Sequence, residues 1–255
     1  MEKDIMVGYP CYDGKADIAS LGAIYQCAYA QNSPVKQIQF LNGDSLVSRA
    51  RNRIAERFLA SDCTYLMFID NDILFQPADI TRLREWNKDI IGGVYLKKKL
   101  PYAPVANTCY GTDPETGLSE MAEIGTGFMM IHRRVFERLI NLQGNQLRYE
   151  PAGDELPGNY YDFFRVGVSP VTKQYLSEDY FFCEMARLAG FKVLLDSGIM
   201  VKHKGGGIFP FEDEQFLEAS ADFIAKYSTE MPMKRSLLDA VERAVNAQKE
   251  ARGWM

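Results

Sequence analysis

Histidine and tryptophan are almost missing from this chain, with two of each in 255 residues. Any imidazole chemistry therefore falls on His132 or His203. Cysteine is sparse and unpaired: Cys11, Cys27, Cys63, Cys109 and Cys183 stand singly, with no Cys-x-x-Cys spacing. That argues against a disulfide framework and a thiolate zinc site, and for a reducing compartment. No apolar run approaches the roughly 20 residues of a membrane span. The opening MEKDIMVGYP passes from charges straight into an apolar stretch, unlike a signal peptide. These absences set the expected location as cytoplasmic, in a bacterial or viral setting. Basic charge is not in excess either: 29 Lys and Arg against 34 Asp and Glu leave −5, so nucleic acid is not an expected partner. Neither an internal repeat nor a low-complexity tract is visible.

What is present is globular composition, 47% hydrophobic and 25% charged, at a length that buries one sizeable core. The most informative stretch is TYLMFIDNDILF, Thr64 to Phe75. Thr64 to Ile69 is apolar, aromatic and β-branched, the signature of a strand buried on both faces. Asp70, Asn71 and Asp72 follow at once. In an open α/β sheet, ligands sit outside the carboxyl ends of strands. Two carboxylates at i and i+2 there can share one hard divalent cation, Mg²⁺ or Mn²⁺, with substrate phosphates completing the shell. Asp and Asn are also ordinary turn residues after a strand, so the rest of the chain must decide.

Before this stretch the pattern predicts a strand at Asp4–Tyr9, a helix from Asp17, a strand from Val35, and a helix from Ser45 capped by Ser45 or Asp44. After it come a short helix from Ala78, a strand over Asp89–Leu96, and a loop running to Gly117. Residues 123–140 read as strand then helix. Asn141 to Val171 reads as a long irregular segment carrying Tyr160, Tyr161, Phe163 and Phe164, of the kind that forms lids or binding loops. A helix from Ser177, a strand or strand pair over 192–203, and a glycine-rich turn close this part. The expected fold class is α/β, with a mostly parallel sheet flanked by helices over residues 1–210. Amphipathic helices at Glu212–Lys226 and Met233–Ala251 would form a helical extension over 211–255. That extension could pack on the core, mediate a homo-oligomer or dock a partner.

Taken in order, VGYPCYDG, LVSRARNRIAERF, FIDNDILF, GTGFMMIHRRVFERL, SEDYFFCEMARLAGFKV and MVKHKG make residues 4–209 resemble a GT-A-fold glycosyltransferase that uses nucleotide-sugars. The resemblance implies transfer of a sugar from a nucleotide-diphosphate donor to the hydroxyl of a glycan or other acceptor. It implies Mn²⁺ or Mg²⁺ as cofactor, with Asp72 and His203 as ligands and Asp70 on the ribose or on the metal through water. Asn71 lies within this donor-binding motif. Tyr9, Pro10 and Asp13 would cradle base and ribose, and Arg51 would lie near the base or diphosphate. Gly125, Thr126 and Gly127 would let backbone approach the donor sugar. In inverting members an acidic pair at a helix start supplies the base, here Asp179, with Glu178 binding acceptor hydroxyls or positioning the loop.

Plainer readings stand beside these. His203 between two lysines suits a solvated turn, Arg51 a solvated helix face, and Glu178 with Asp179 the favourable start of a helix dipole. His132 reads as structural, while Trp86 and the 160–164 aromatics suit either sugar stacking or core anchoring. Rival functions are a haloacid-dehalogenase-like phosphatase, a nucleotidylyltransferase, and a non-catalytic nucleotide- or carbohydrate-binding module. The first normally carries Asp-x-Asp on its first strand, and the second has a glycine-rich basic loop after it; YPCYDGK is short.

Overall fold

A computed structural model describes residues 2–30, 32–98, 103–151, 157–205 and 208–209. The expected 211–255 extension lies outside the described residues, as do Gly206 and Gly207. In chain order the elements are β1 (Ile5–Cys11), α1 (Ile18–Tyr29), β2 (Val35–Asn42), α2 (Val47–Leu59), β3 (Tyr65–Ile69), β4 (Ile73–Leu74) and α3 (Pro77–Glu85). Then follow β5 (Ile90–Val94), β6 (Ala106–Thr112), β7 (Leu118–Ile124), β8 (Phe128–His132) and α4 (Arg133–Leu147). Short ribbons β9 (Arg148–Tyr149) with β10 (Tyr160–Tyr161), and β11 (Gly167–Val168) with β12 (Tyr175–Leu176), lead into α5 (Glu178–Leu188). Last come β13 (Val193–Met200), β14 (Lys202–Lys204) and β15 (Ile208–Phe209).

Eight strands form one sheet in the order β2-β1-β3-β8-β5-β13-β7-β6. The protein is α/β, and its central sheet is mixed. β2, β1 and β3 run parallel, as do β5 and β13, but β8 inserts antiparallel between β3 and β5. This topology places the carboxyl ends of β3 and β5 and the amino end of β8 at one edge. All five residues of β3 are buried, and they alternate between two cores. Leu66 and Phe68 face Ile54, Phe58, Phe136 and Phe182 from α2, α4 and α5. Tyr65, Met67 and Ile69 face Ile24, Ile80 and Leu83 from α1 and α3.

Several boundaries differ from the sequence reading. α4 continues to Leu147 through the polar NLQGNQ, because Leu139 and Leu147 keep its inner face buried. A β6–β7 hairpin occupies much of the expected loop before Gly117; Cys109 is the sole fully buried residue of β6, so no apolar pattern marks it. α2 starts at Val47 behind Leu46, and Asp44 serves its entry by accepting the Leu46 N–H at 3.1 Å and pairing with Arg49 at 2.8 Å. Phe163 and Phe164 are core anchors, fully buried against Phe136 and Phe182. Trp86 is likewise structural, its indole N–H donating to Asp196 at 2.7 Å. His132 caps α4 by accepting from Arg134 N at 3.1 Å.

Arg133 ties β3, α2 and α4 together. Its guanidinium donates to the carbonyls of Phe58, Leu59, Ser61 and Cys63 at 2.8–3.1 Å and stacks over Phe58 at 4.6 Å. It thus adds donors and a positive charge to the carbonyls at the α2 C-terminus, where the dipole favours one. Arg133→Met is expected to lower unfolding free energy by about 3 kcal/mol in urea titration. A loss below about 0.5 kcal/mol would mean water serves those carbonyls equally well.

Candidate functional site

The three polar residues after β3 part company. Asp70 Oδ2 accepts from Arg51 Nη2 at 3.1 Å, its Oδ1 lies 3.0 Å from the same nitrogen with no hydrogen-bond partner among the described residues, and its own N–H donates to Gly127 O at 3.0 Å. Asn71 turns the other way: its amide donates to Lys15 O at 2.9 Å, while its carbonyl accepts from Tyr9 Oη and Asp17 N, both at 3.3 Å. It staples the loop after β1 to the end of β3. Asp72 meets Lys98 through Oδ2 and lies 3.4 Å from His203 Nε2 through Oδ1. Burial raises the Asp72 carboxyl, but His203 and Lys98 outweigh it and hold the group below the usual carboxylate range.

Arg51 is the hinge of the site. It is 3% exposed, so it is no solvated helix arginine. Besides Asp70 it reaches Glu178 Oε1 at 3.4 Å, across 127 positions of chain. Burial opposes its charge, yet Asp70, Glu178 and Asp179 reverse that and raise its proton affinity. Asp179, next along α5, shows the complementary effect. Burial first, then the neighbouring Glu178, push its carboxyl up to about 6, against hydrogen bonds from Ser177 Oγ and its own helix and against the Arg51 charge.

Gly125 and Gly127 flank this acidic cluster through Tyr95. The Tyr95 hydroxyl oxygen accepts the Gly127 N–H at 2.9 Å. A Cβ on Gly125 would fall 2.0 Å from that oxygen, and one on Gly127 would fall 2.7 Å from it and 3.1 Å from Asp70 Oδ2. Glycine is required here by close approach of a side chain. Thr126 is buried, and its hydroxyl has no hydrogen-bond partner among the described residues. Burial and the charges of Asp70 and Asp179 keep the Tyr95 hydroxyl protonated.

The residues expected after β1 are less united with this cluster. Tyr9 is fully buried, its hydroxyl hydrogen-bonded to Ser20 Oγ at 3.1 Å, so it presents no ring face to a base. Pro10 lies in β1 at intermediate burial. Asp13 is exposed and bound to Lys15, N–H to Oδ1 at 3.1 Å. Tyr12 between them is 64% exposed and is the ring this loop does present.

The Asp72–His203 pair has the chemistry of a cation site. His203 Nδ1 sits 2.7 Å from Leu96 O; a carbonyl only accepts, so Nδ1 carries the hydrogen and Nε2 faces Asp72, as an N–H when the ring is protonated and as a lone pair when it is neutral. A buried carbonyl that orients a histidine in this way is common around metals. Asp72 Oδ1 is buried with no hydrogen-bond partner among the described residues. With the ring neutral, two acceptors facing each other suit a hard cation completed by phosphate oxygens and water. Among the described residues no group of three His, Cys, Asp or Glu gathers that could hold a metal, and Asp70 pairs with Arg51.

Sequence reasoning passed over four contributors: Tyr95, Lys98, the Lys204–Asp17 ion pair, and Asn52. Asn52 donates to Asp162 at 2.8 Å and accepts from Phe164 N at 2.9 Å, fastening the 160–164 segment to α2 beside Arg51. Asn52 lies within the motif that carries Arg51 and was the one signal available.

No protein-family model matches the chain, and no curated protein matches it. Among solved structures it is similar to A197 from STIV, at 14% identity and a TM-score of 0.50, over 79% of this chain and 86% of that one. That likeness concerns the fold alone. A comparison with GalNAc-T7, solved with UDP, GalNAc and Mn2+, gives 10% identity and a TM-score of 0.46 over 95% of this chain and 54% of the other. Among the described residues no helix is long and apolar enough to cross a membrane.

Removing the Arg51 charge leaves two partly buried carboxylates facing each other. Arg51→Met is expected to cost about 3–5 kcal/mol of stability at pH 7 and to move the Asp179 titration, followed by carboxyl NMR, upward from about 6. An unmoved titration would break the electrostatic link between α2 and α5.

Proposed function

We propose that this chain is a GT-A-like, metal-dependent glycosyltransferase, moving a sugar from a nucleotide-diphosphate donor to an acceptor hydroxyl with inversion at the anomeric carbon. The observation that carries this reading is the Arg51 bridge. It joins the carboxylates at the end of β3 to the acidic start of α5, so a donor-binding strand end and a proton-accepting group share one edge of the sheet. Asp72 and His203 would hold Mn²⁺ or Mg²⁺, with the orphaned Asp72 Oδ1 and the Nε2 lone pair of neutral His203 supporting the fit. Such an ion neutralises the charge that develops on the departing diphosphate.

The protein's own groups carry the remaining steps. Asp179, ionised above about pH 6, takes the proton of the acceptor hydroxyl. The freed oxygen pair forms the bond to the anomeric carbon on the face opposite the leaving group. The carbon–oxygen bond to the diphosphate breaks, and its electron pair leaves with the phosphate. Glu178, held by Arg51 Nε, orients acceptor hydroxyls, and Asp70, held by Nη2 of the same guanidinium, faces the ribose. Gly125 and Gly127 let the Tyr95 hydroxyl close against the backbone beside Asp70, which fixes that edge of the donor site. Lys98, now on Asp72, supplies a second cation for the diphosphate.

A panel of nucleoside diphosphates with Mn²⁺, with Mg²⁺ and with EDTA tests the donor site. One nucleotide at 100 times its Kd is expected to stabilise by about 2.7 kcal/mol, a rise of several degrees in Tm, only with metal and not in Asp72→Ala. No shift with any nucleotide would overturn the reading.

The base is tested by pH and by substitution. Turnover is expected to fall as pH drops through about 6, and Asp179→Asn to lose about 10²–10⁴-fold. Because the folded protein raises this carboxyl, the unfolded chain binds fewer protons above the ordinary carboxylate range, and ionised Asp179 lowers stability at neutral pH. Asp179→Asn should therefore raise Tm at pH 7.5 and lose that advantage near pH 4. An inactive variant with unchanged Tm at both pH values would deny Asp179 its shifted titration.

A further inference from the structure

A polar cavity of about 590 Å³ opens beside α5, between β6, β7 and the loop that joins β11 to β12. That volume is in the range of small-ligand sites. Its polar lining is planar and mixed: Asn107, Glu123, Gln174, Glu184 and Arg187, with Tyr110 at the mouth. Arg187 lies over the Tyr110 ring at 4.7 Å. Glu184 is 6% exposed; its Oε2 accepts from Ser169 Oγ at 2.7 Å, but its Oε1 has no hydrogen-bond partner among the described residues. Ser169 in turn accepts from Val171 N and Thr172 N, so the Glu184 carboxyl fixes the loop that forms the cavity wall.

We propose that this cavity binds a neutral carbohydrate, the part of the acceptor that extends away from the reacting hydroxyl. The charges decide the class: two carboxylates against one guanidinium leave no surplus of positive charge to hold phosphate, sulfate or a nucleotide. Asn107, Gln174 and Arg187 bring donors to the lining and Glu123 brings an acceptor, and sugar hydroxyls, which both donate and accept, complement such a mixture. Amide, carboxylate and guanidinium planes pair with neighbouring hydroxyls, and an exposed tyrosine edge offers apolar contact for a sugar ring. Position gives the direction. Asp179 and the cavity residues Glu184 and Arg187 lie on the same helix, about 7.5 and about 12 Å farther along its axis. The β11–β12 ribbon that walls the cavity runs straight into Ser177 and the acidic pair. Binding in the cavity does not depend on the transferase reading; its description as part of the acceptor does.

Calorimetric titration of the full chain with lactose, maltotriose, cellotriose and N,N′-diacetylchitobiose, and with a sulfated heparin disaccharide, tests the assignment. At least one neutral sugar is expected to bind, with affinity at least tenfold lower in Tyr110→Ala and in Gln174→Ala, both exposed positions. The same sugar should bind Asp72→Ala as it binds the parent chain. No binding by any neutral sugar, unchanged affinity in both cavity variants, or preference for the sulfated disaccharide would overturn the proposal. Nucleotide-dependent Tm shifts on the same samples keep the two failures apart, since loss of the carbohydrate site leaves them intact and loss of the donor site leaves sugar binding intact.

Discussion

A guanidinium buried among three carboxylates is the constraint on which the site depends. Arg51 is taken almost wholly out of water, which no isolated charge tolerates. It is stable there because Asp70 reaches its Nη2 and Glu178 its Nε, and its removal would leave both carboxylates without that cation. Three elements distant in sequence, α2, the end of β3 and the start of α5, must therefore arrive together. The acid that lacks a direct contact, Asp179, is left with too little compensation, and its raised proton affinity follows from the same arrangement.

The Asp70-Asn71-Asp72 triplet looks like one motif and works as a junction. Asp70 faces the buried arginine, Asn71 pins the loop after β1, and Asp72 turns outward to His203 and Lys98. A turn at the strand end makes this division: Ile73 N–H donates to Asp70 O at 3.0 Å, so the chain leaves the strand's alternation and the two carboxylates diverge. Asn71 is consequently a scaffold residue in its contacts, and its bonds to Lys15 and Asp17 hold the loop that bears Tyr12 and Asp13.

Much of the architecture was readable because period and burial agree. β3 is buried on both faces and reads as a continuous apolar run; α2 and α5 read by helical spacing. β6 was not readable, since six of its seven residues are partly or fully exposed and it contains Asn, Thr and Gly. The C-terminal turn of α4 was hidden for a related reason: Gly144 and two asparagines signal a loop locally, and only packing of Leu147 overrides them. β8 was visible as a strand, but its antiparallel placement between β3 and β5 depends on partners far along the chain.

The sequence by itself determined the α/β class, the strand that ends in carboxylates, the acidic helix start and the late histidine, because each is a local pattern of polarity. Only the tertiary structure decided which of these residues meet. It buried Tyr9, which the resemblance had placed against the donor's base and ribose, and left Tyr12 exposed in the loop that follows. It turned Asp70 toward Arg51 and away from the Asp72–His203 pair. The physical reason is that polarity is written residue by residue, whereas burial and charge compensation are properties of neighbours in space. Arg51 and Glu178 stand 127 residues apart, and nothing short of the folded sheet brings them within 3.4 Å.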